Sequence, residues 1–283
     1  MKEQIIACID GSSISTAVCD SAVWASQVLG APLKFLHVLE KNQTQPSGDL
    51  SGSIGLGSRE HLLKELTILD EQRKKLAIEH GKHILEDAKT RAQSQGVAEV
   101  LTEQRHGQLI NAILEAEAML FVIGRHGSDH ESQVDAIGSQ IENVVRSIKT
   151  PVLMATGRFT KPANYMLAYD GSETAENTLN RIAKSPLLKT LPGHLVMVGN
   201  NSSDNKDKLE AATKVLRDKG HTVTSHLLAN DNVVAALTEF QALNRIEFKV
   251  MGAYGHSRIR EFFVGSNTTK MIATSTVPIL ILR

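Results

Sequence analysis

The chain has 283 residues, enough for one large domain or two ordinary ones, and 41% hydrophobic with 22% charged residues is the usage of a soluble globular protein. Its 31 Lys and Arg balance 31 Asp and Glu, which argues against a nucleic-acid partner, since that binding rests on clustered positive charge. No apolar run reaches membrane-span length, the N-terminus MKEQIIACID lacks a signal peptide's layout, and Cys8 and Cys19 make no disulfide framework, so a cytoplasmic protein with buried reduced thiols is expected.

Apolar runs and helical periodicities alternate along the chain. The first half predicts strand 4–9, helix 13–29 with Ser12 or Ser13 as N-cap, and strand 33–38. The polar Ser/Gly-rich stretch Lys41 to Arg59 has no periodicity and reads as a surface excursion, with a lid over a pocket as the functional alternative. A long helix over about 60–95 stops at Gly96. Strand 98–103, helix 107–116, strand 118–123, helix 138–148 and strand 151–155 complete this half. The second half repeats the order more tightly, with strands near 164–169, 194–198, 222–227, 247–251 and 278–282 and helices between. Short apolar strands alternating with helices imply a parallel sheet covered on both faces, and right-handed crossovers make each half an open doubly wound α/β sheet.

The halves are copies of one design. Ile6-Ala7-Cys8-Ile9-Asp10-Gly11-Ser12 recurs as Met166-Leu167-Ala168-Tyr169-Asp170-Gly171-Ser172, and Leu36-His37-Val38 as Val196-Met197-Val198. Phe121 to Gly127 (FVIGRHG) recurs as Lys249 to Gly255 (KVMGAYG), and Thr150-Pro151-Val152-Leu153-Met154 as Val277-Pro278-Ile279-Leu280-Ile281. Landmarks kept in one order indicate a tandem duplication, with units at 1–157 and 163–283 and Gly157 to Pro162 as the joint.

The motif that carries chemistry follows the apolar run ending at Met251. Gly252, Gly255 and Gly265 fall at G-x2-G-x9-G spacing, Ser266 comes next, and a helical segment begins. Glycines let backbone approach a ligand closely, and the free N–H groups and positive dipole end of the next helix favour phosphate oxygens. No Walker A pattern occurs. With the closing strand Val277-Pro278-Ile279-Leu280-Ile281-Leu282, this arrangement resembles the ATP-binding universal stress proteins. The resemblance implies five strands per unit in the order 3-2-1-4-5 and a nucleotide beyond their carboxyl ends. It places Asp170 beside the ribose or a Mg2+ ion and Val198 by adenine. Met251, Gly252, Gly255, Gly265, Ser266 and Asn267 complete the cofactor-binding set for ATP, ADP or AMP. Taken singly these residues have plainer readings: Asp170-Gly171-Ser172 also suits a capped strand-to-helix turn, valines populate strands, and glycines form turns.

The two glycine loops differ. In the first unit, Gly124-x2-Gly127 is followed by ten residues, not nine, before Gly138-Ser139, and Ser128 to Ile137 holds Asp129, Glu131 and Asp135 without Lys or Arg. His256 to Val264 holds Arg258 and Arg260 against Glu261. A triphosphate beside three carboxylates meets repulsion on the order of 1 kcal/mol per close pair, so the second unit is expected to hold the nucleotide. His126 and His130 allow a zinc reading, but their four-residue spacing converges only on a helix.

Catalysis has less support. No Gly-x-Ser-x-Gly elbow and no base at a diagnostic spacing is present, so a regulatory nucleotide-binding protein acting on an unidentified protein partner is expected. A slow ATPase, an enzyme or carrier using the first unit's pocket, and a ligand-free scaffold are the alternatives. Members of the family pair through their last strands, which implies that 151–155 and 278–282 run antiparallel within this chain as an intramolecular pseudo-dimer, with a homodimer as a further assembly.

Overall fold

The computed structural model describes residues 4–40, 56–125, 139–252 and 266–283. The first unit contains β1 (Ile5–Cys8), α1 (Ser15–Leu29), β2 (Leu33–Leu39), α2 (Leu56–Ser94), β3 (Val100–His106), α3 (Leu109–Glu115), β4 (Leu120–Gly124), α4 (Ser139–Ser147) and β5 (Val152–Ala155). The second contains β6 (Tyr165–Ala168), α5 (Glu173–Lys184), β7 (Gly193–Val198), α6 (Ser203–Asp218), β8 (Val223–Leu228), α7 (Val233–Leu243), β9 (Lys249–Gly252), α8 (Ser266–Thr274) and β10 (Ile279–Leu282), with one 3-10 turn at Pro186–Leu188.

All ten strands join one sheet in the order β3-β2-β1-β4-β5-β10-β9-β6-β7-β8. Each half is therefore a parallel 3-2-1-4-5 sheet. The seam is the antiparallel pairing of β5 with β10, where Met154 faces Ile279, Leu153 faces Leu280 and Val152 faces Ile281. Closing these two strands on each other removes what would otherwise be an apolar edge in each half. Central strands β4, β5 and β10 are buried along their whole length, as a sheet covered on both faces requires.

Two apolar layers flank the sheet, and both run across the seam. One gathers Trp24, Phe35, Leu153, Tyr165, Leu188 and Phe248; the other gathers Phe121, Met154, Met166, Ile272 and Ile281. Trp24 of α1 sits with its ring centroid 5.5 Å from Phe248 of the second unit and 5.8 Å from Phe159 in the joint, so a first-unit helix packs across the joint. Both cysteines are free thiols, and burial pushes each up to about 12. No described helix is long and apolar enough to cross a membrane.

Some sequence expectations need correction. Neither Ser12 nor Ser13 caps α1: the residue before the helix is Ile14, and no side-chain cap bond is made. The Asp10 carboxylate draws the nearby serines into its own turn instead. Helix α2 begins at Leu56, so the last residues of the 41–59 stretch are helical, while 41–55 lies outside the described residues. The stop after α2 is as expected, with Gly96 at φ +90°. At the sheet's edge, β3 runs three residues further than the pattern suggested, because it pairs with β2 as far as Leu39–His106.

Candidate functional site

In a doubly wound sheet the crevice opens where strand order reverses, beyond the carboxyl ends. In the second unit that point lies between β6 and β9, which pair side by side. Asp170 follows β6, Val198 ends β7 and Gly252 ends β9, so three of the residues singled out from sequence stand along one edge.

Asp170 is exposed, and its Oδ1 accepts the Ser172 N–H at 2.9 Å. Gly171 between them has φ +72°, a left-handed conformation that glycine adopts without strain. Ser172 then caps α5 by accepting the Ala175 N–H at 3.2 Å. Tyr169 turns inward and donates its hydroxyl to the Glu176 carboxylate; burial first, then that bond, raises the phenol's pKa. Val198 is half-buried against the second apolar layer, and Met251 is buried in it, which leaves Met251's backbone, not its side chain, for any ligand. A methyl group on Gly252 would lie 2.9 Å from both Thr174 Cγ2 and Thr178 Oγ1 of α5, so only glycine lets the end of β9 approach that helix so closely. Ser266 and Asn267 are the first residues of α8, whose leading N–H groups have no intrahelical partner. Gly255, Gly265, Arg258, Arg260 and the first unit's loop, including His126 and His130, lie outside the described residues.

The equivalent turn in the first unit is filled differently. Asp10 Oδ1 accepts Ser12 N–H at 3.0 Å, Ser12 Oγ–H at 2.5 Å and Ser15 Oγ–H at 3.1 Å. Gly11 also has positive φ, but a methyl there would meet Ile84 of α2 at 2.6 Å. At Gly171 the neighbour is Lys208 Cδ of α6, at 3.2 Å. The nearest atoms are aliphatic at both turns, Ile84 Cδ1 in the first unit and the Lys208 methylenes in the second, and His80 Nε2 also lies 3.8 Å from the methyl position at Gly11. Lys208 Nζ also meets Asp204 Oδ2 at 2.7 Å. Sequence reasoning missed Lys208, because nothing local ties α6 to the first turn of its unit; aligning the crossover helices, with Lys208 opposite the region of Ile84, was the only available signal.

Among the described residues, no three His, Cys, Asp or Glu side chains gather as a metal cage. A magnesium ion takes one or two carboxylates and keeps waters or phosphate oxygens for the rest. Asp170 can serve as such a carboxylate, since among the described residues Ser172 N–H is its one hydrogen-bond donor.

These features define a class: two doubly wound α/β units fused through their last strands. The universal stress protein family model matches residues 1–156. A universal stress protein of Synechocystis sp. is 32% identical over 287 residues, covering 99% of this chain and 100% of that protein. The chain belongs to the universal stress protein family, in a tandem arrangement. In fold it is similar to a universal stress protein from Archaeoglobus fulgidus, with a TM-score of 0.70 at 17% identity over 99% of this chain and 96% of that one. A structure from Pseudomonas aeruginosa gives 0.63 at 13% identity, covering 99% and 93% of the two chains.

Proposed function

We propose that this protein is a regulatory adenine-nucleotide-binding member of its family, with units at 1–157 and 163–283, and that the second unit holds the nucleotide, ATP with Mg2+ in its fully charged form. The contrast between the two aspartate turns carries this reading. Asp10 is engaged by the Ser12 and Ser15 hydroxyls, whereas Asp170 is exposed and accepts only the Ser172 N–H among the described residues. An open carboxylate suits a metal-bound polyphosphate. The G-x2-G-x9-G-S motif supplies main-chain amides, with Ser266 and Asn267 at the start of α8. Met251 and Gly252 form the wall beside Asp170, and Val198 the wall toward the base.

Two measurements test this. Mass spectrometry of small molecules released on denaturing freshly purified protein should find an adenine nucleotide. Calorimetric titration of the full chain should give one Mg2+-dependent ATP site, weakened at least tenfold by Asp170→Ala and unaltered by Asp10→Ala. Loss of binding from Asp10→Ala but not Asp170→Ala would place the nucleotide in the first unit and overturn the assignment.

A further inference from the structure

The C-terminal end of α8 is held by the other unit. Arg125 follows β4, and its backbone N–H donates to the Ala155 carbonyl at 2.9 Å, which ties it to the end of β5. Its Nη1 donates to the carbonyls of Ala273 at 2.9 Å and Ser275 at 2.7 Å. These lie at and just beyond the last turn of α8, where helix carbonyls lack intrahelical partners and a cation meets the negative end of the dipole.

The relation is reciprocal. Arg283, after β10, donates from Nη1 to the Arg146 carbonyl in the last turn of α4. Arg181 of α5 donates to the Lys149 carbonyl at 3.2 Å and to the Arg283 carbonyl at 2.7 Å. Each unit thus closes the far end of the helix that follows the other unit's glycine loop. The second unit has Ala253 at the position equivalent to Arg125, so the exchange of arginines is not a simple repeat of one residue.

We propose that Arg125 is a positioning residue for the second unit's nucleotide: by fixing α8 along its axis, it sets where the Ser266 and Asn267 amides stand. This rests on the nucleotide reading above. Helix α8 has nine residues, about 13 Å of length, too short to persist without tertiary support. Met271 and Ile272 hold it to the sheet, but apolar burial is non-directional and resists lifting better than sliding. Two directional bonds at one end supply the axial restraint. A helix this short moves as a rod, so a slip at Ala273 shifts the first turn equally, and about 1 Å is enough to spoil phosphate hydrogen bonds. The first unit therefore completes the second unit's site without touching the ligand.

The test uses the full chain with Arg125→Ala, Arg125→Lys and, as a control at the opposite helix, Arg181→Ala. Arg125→Met, which keeps the stem and removes the donors, replaces Ala if that variant does not fold. Amide hydrogen exchange over 266–275 without nucleotide should rise about tenfold in Arg125→Ala, recover largely in Arg125→Lys and stay unchanged in Arg181→Ala. Titrated with Mg2+-ATP and with adenosine, Arg125→Ala should lose about tenfold for ATP and nothing for adenosine, since only the phosphates meet α8. A merely structural role would weaken both ligands or neither. Unchanged exchange in α8 overturns the inference, as does a loosened α8 with wild-type ATP affinity. Wild-type protein that binds neither ligand ends the nucleotide reading and this role with it, while the exchange data still decide whether Arg125 holds α8.

Discussion

Replacing Gly252 with alanine tests how closely the end of β9 approaches α5. The new methyl would stand 2.9 Å from Thr174 Cγ2 and from Thr178 Oγ1, and 3.3 Å from the Thr174 carbonyl oxygen. Carbon contacts settle at about 3.5–4.0 Å, so α5 and β9 must part by about half an ångström. They cannot part freely, because Leu179 and Ile182 on α5 are buried and β9 is paired on both sides. Gly252 is not among the glycines with positive φ, so the penalty is one of contact, not of backbone conformation. Overpacking of this kind costs about 1–3 kcal/mol. Urea unfolding at constant m-value measures it directly. In a Thr174→Ser/Thr178→Ala background, which removes both close atoms, the same substitution should cost less than about 0.5 kcal/mol, a non-additivity expected of touching residues. Equal costs in the two backgrounds would refute the close-approach argument, and so would no cost in the natural one.

Three further outcomes follow from buried groups. Tyr165 is 1% exposed with a hydroxyl that finds no hydrogen-bond partner among the described residues, so Tyr165→Phe should stabilise the protein by up to about 1 kcal/mol in urea; destabilisation would mean the hydroxyl is bonded. Trp24→Ala removes a ring packed on Phe159 and Phe248 and should cost about 3–5 kcal/mol, with one cooperative transition for the whole chain, whereas an early separate transition would show that the units do not share their core. His194 and His226 hydrogen-bond to each other at 3.1 Å against Phe240, and burial lowers both pKa values, with His194 adding to the effect on His226. The unfolded imidazoles take up protons from about pH 6.5 downward while the folded pair resists. Stability is therefore intact above that value and falls as pH drops through it, and His226→Asn should flatten the pH 7.5 to 5.5 dependence of the urea midpoint; an unchanged slope would place the titration elsewhere.

The strand runs, their alternation with helices and the duplicated landmarks were legible because burial on both faces of a parallel sheet demands continuous apolar stretches. The seam came from resemblance, and the β5–β10 ladder bears it out. The aspartate turns are legible as turns, but not their difference: the pattern offers Ser12 or Ser13 as the cap of α1, yet neither caps it and the Ser12 hydroxyl serves Asp10. That choice between two short-range hydrogen bonds depends on where the strand aims the carboxylate.

What the sequence determined by itself was the local periodicity and the two-unit plan, since each is written in apolar runs and landmarks read directly along the chain. Only the tertiary structure decided that Lys208 stands beside Gly171, that Ile84 occupies the matching place in the first unit, and that Arg125 closes α8 at a separation of about 150 residues along the chain. Those contacts arise from how crossover helices settle on a twisted sheet and how two such sheets meet edge to edge, and no spacing along the chain encodes a meeting of that kind.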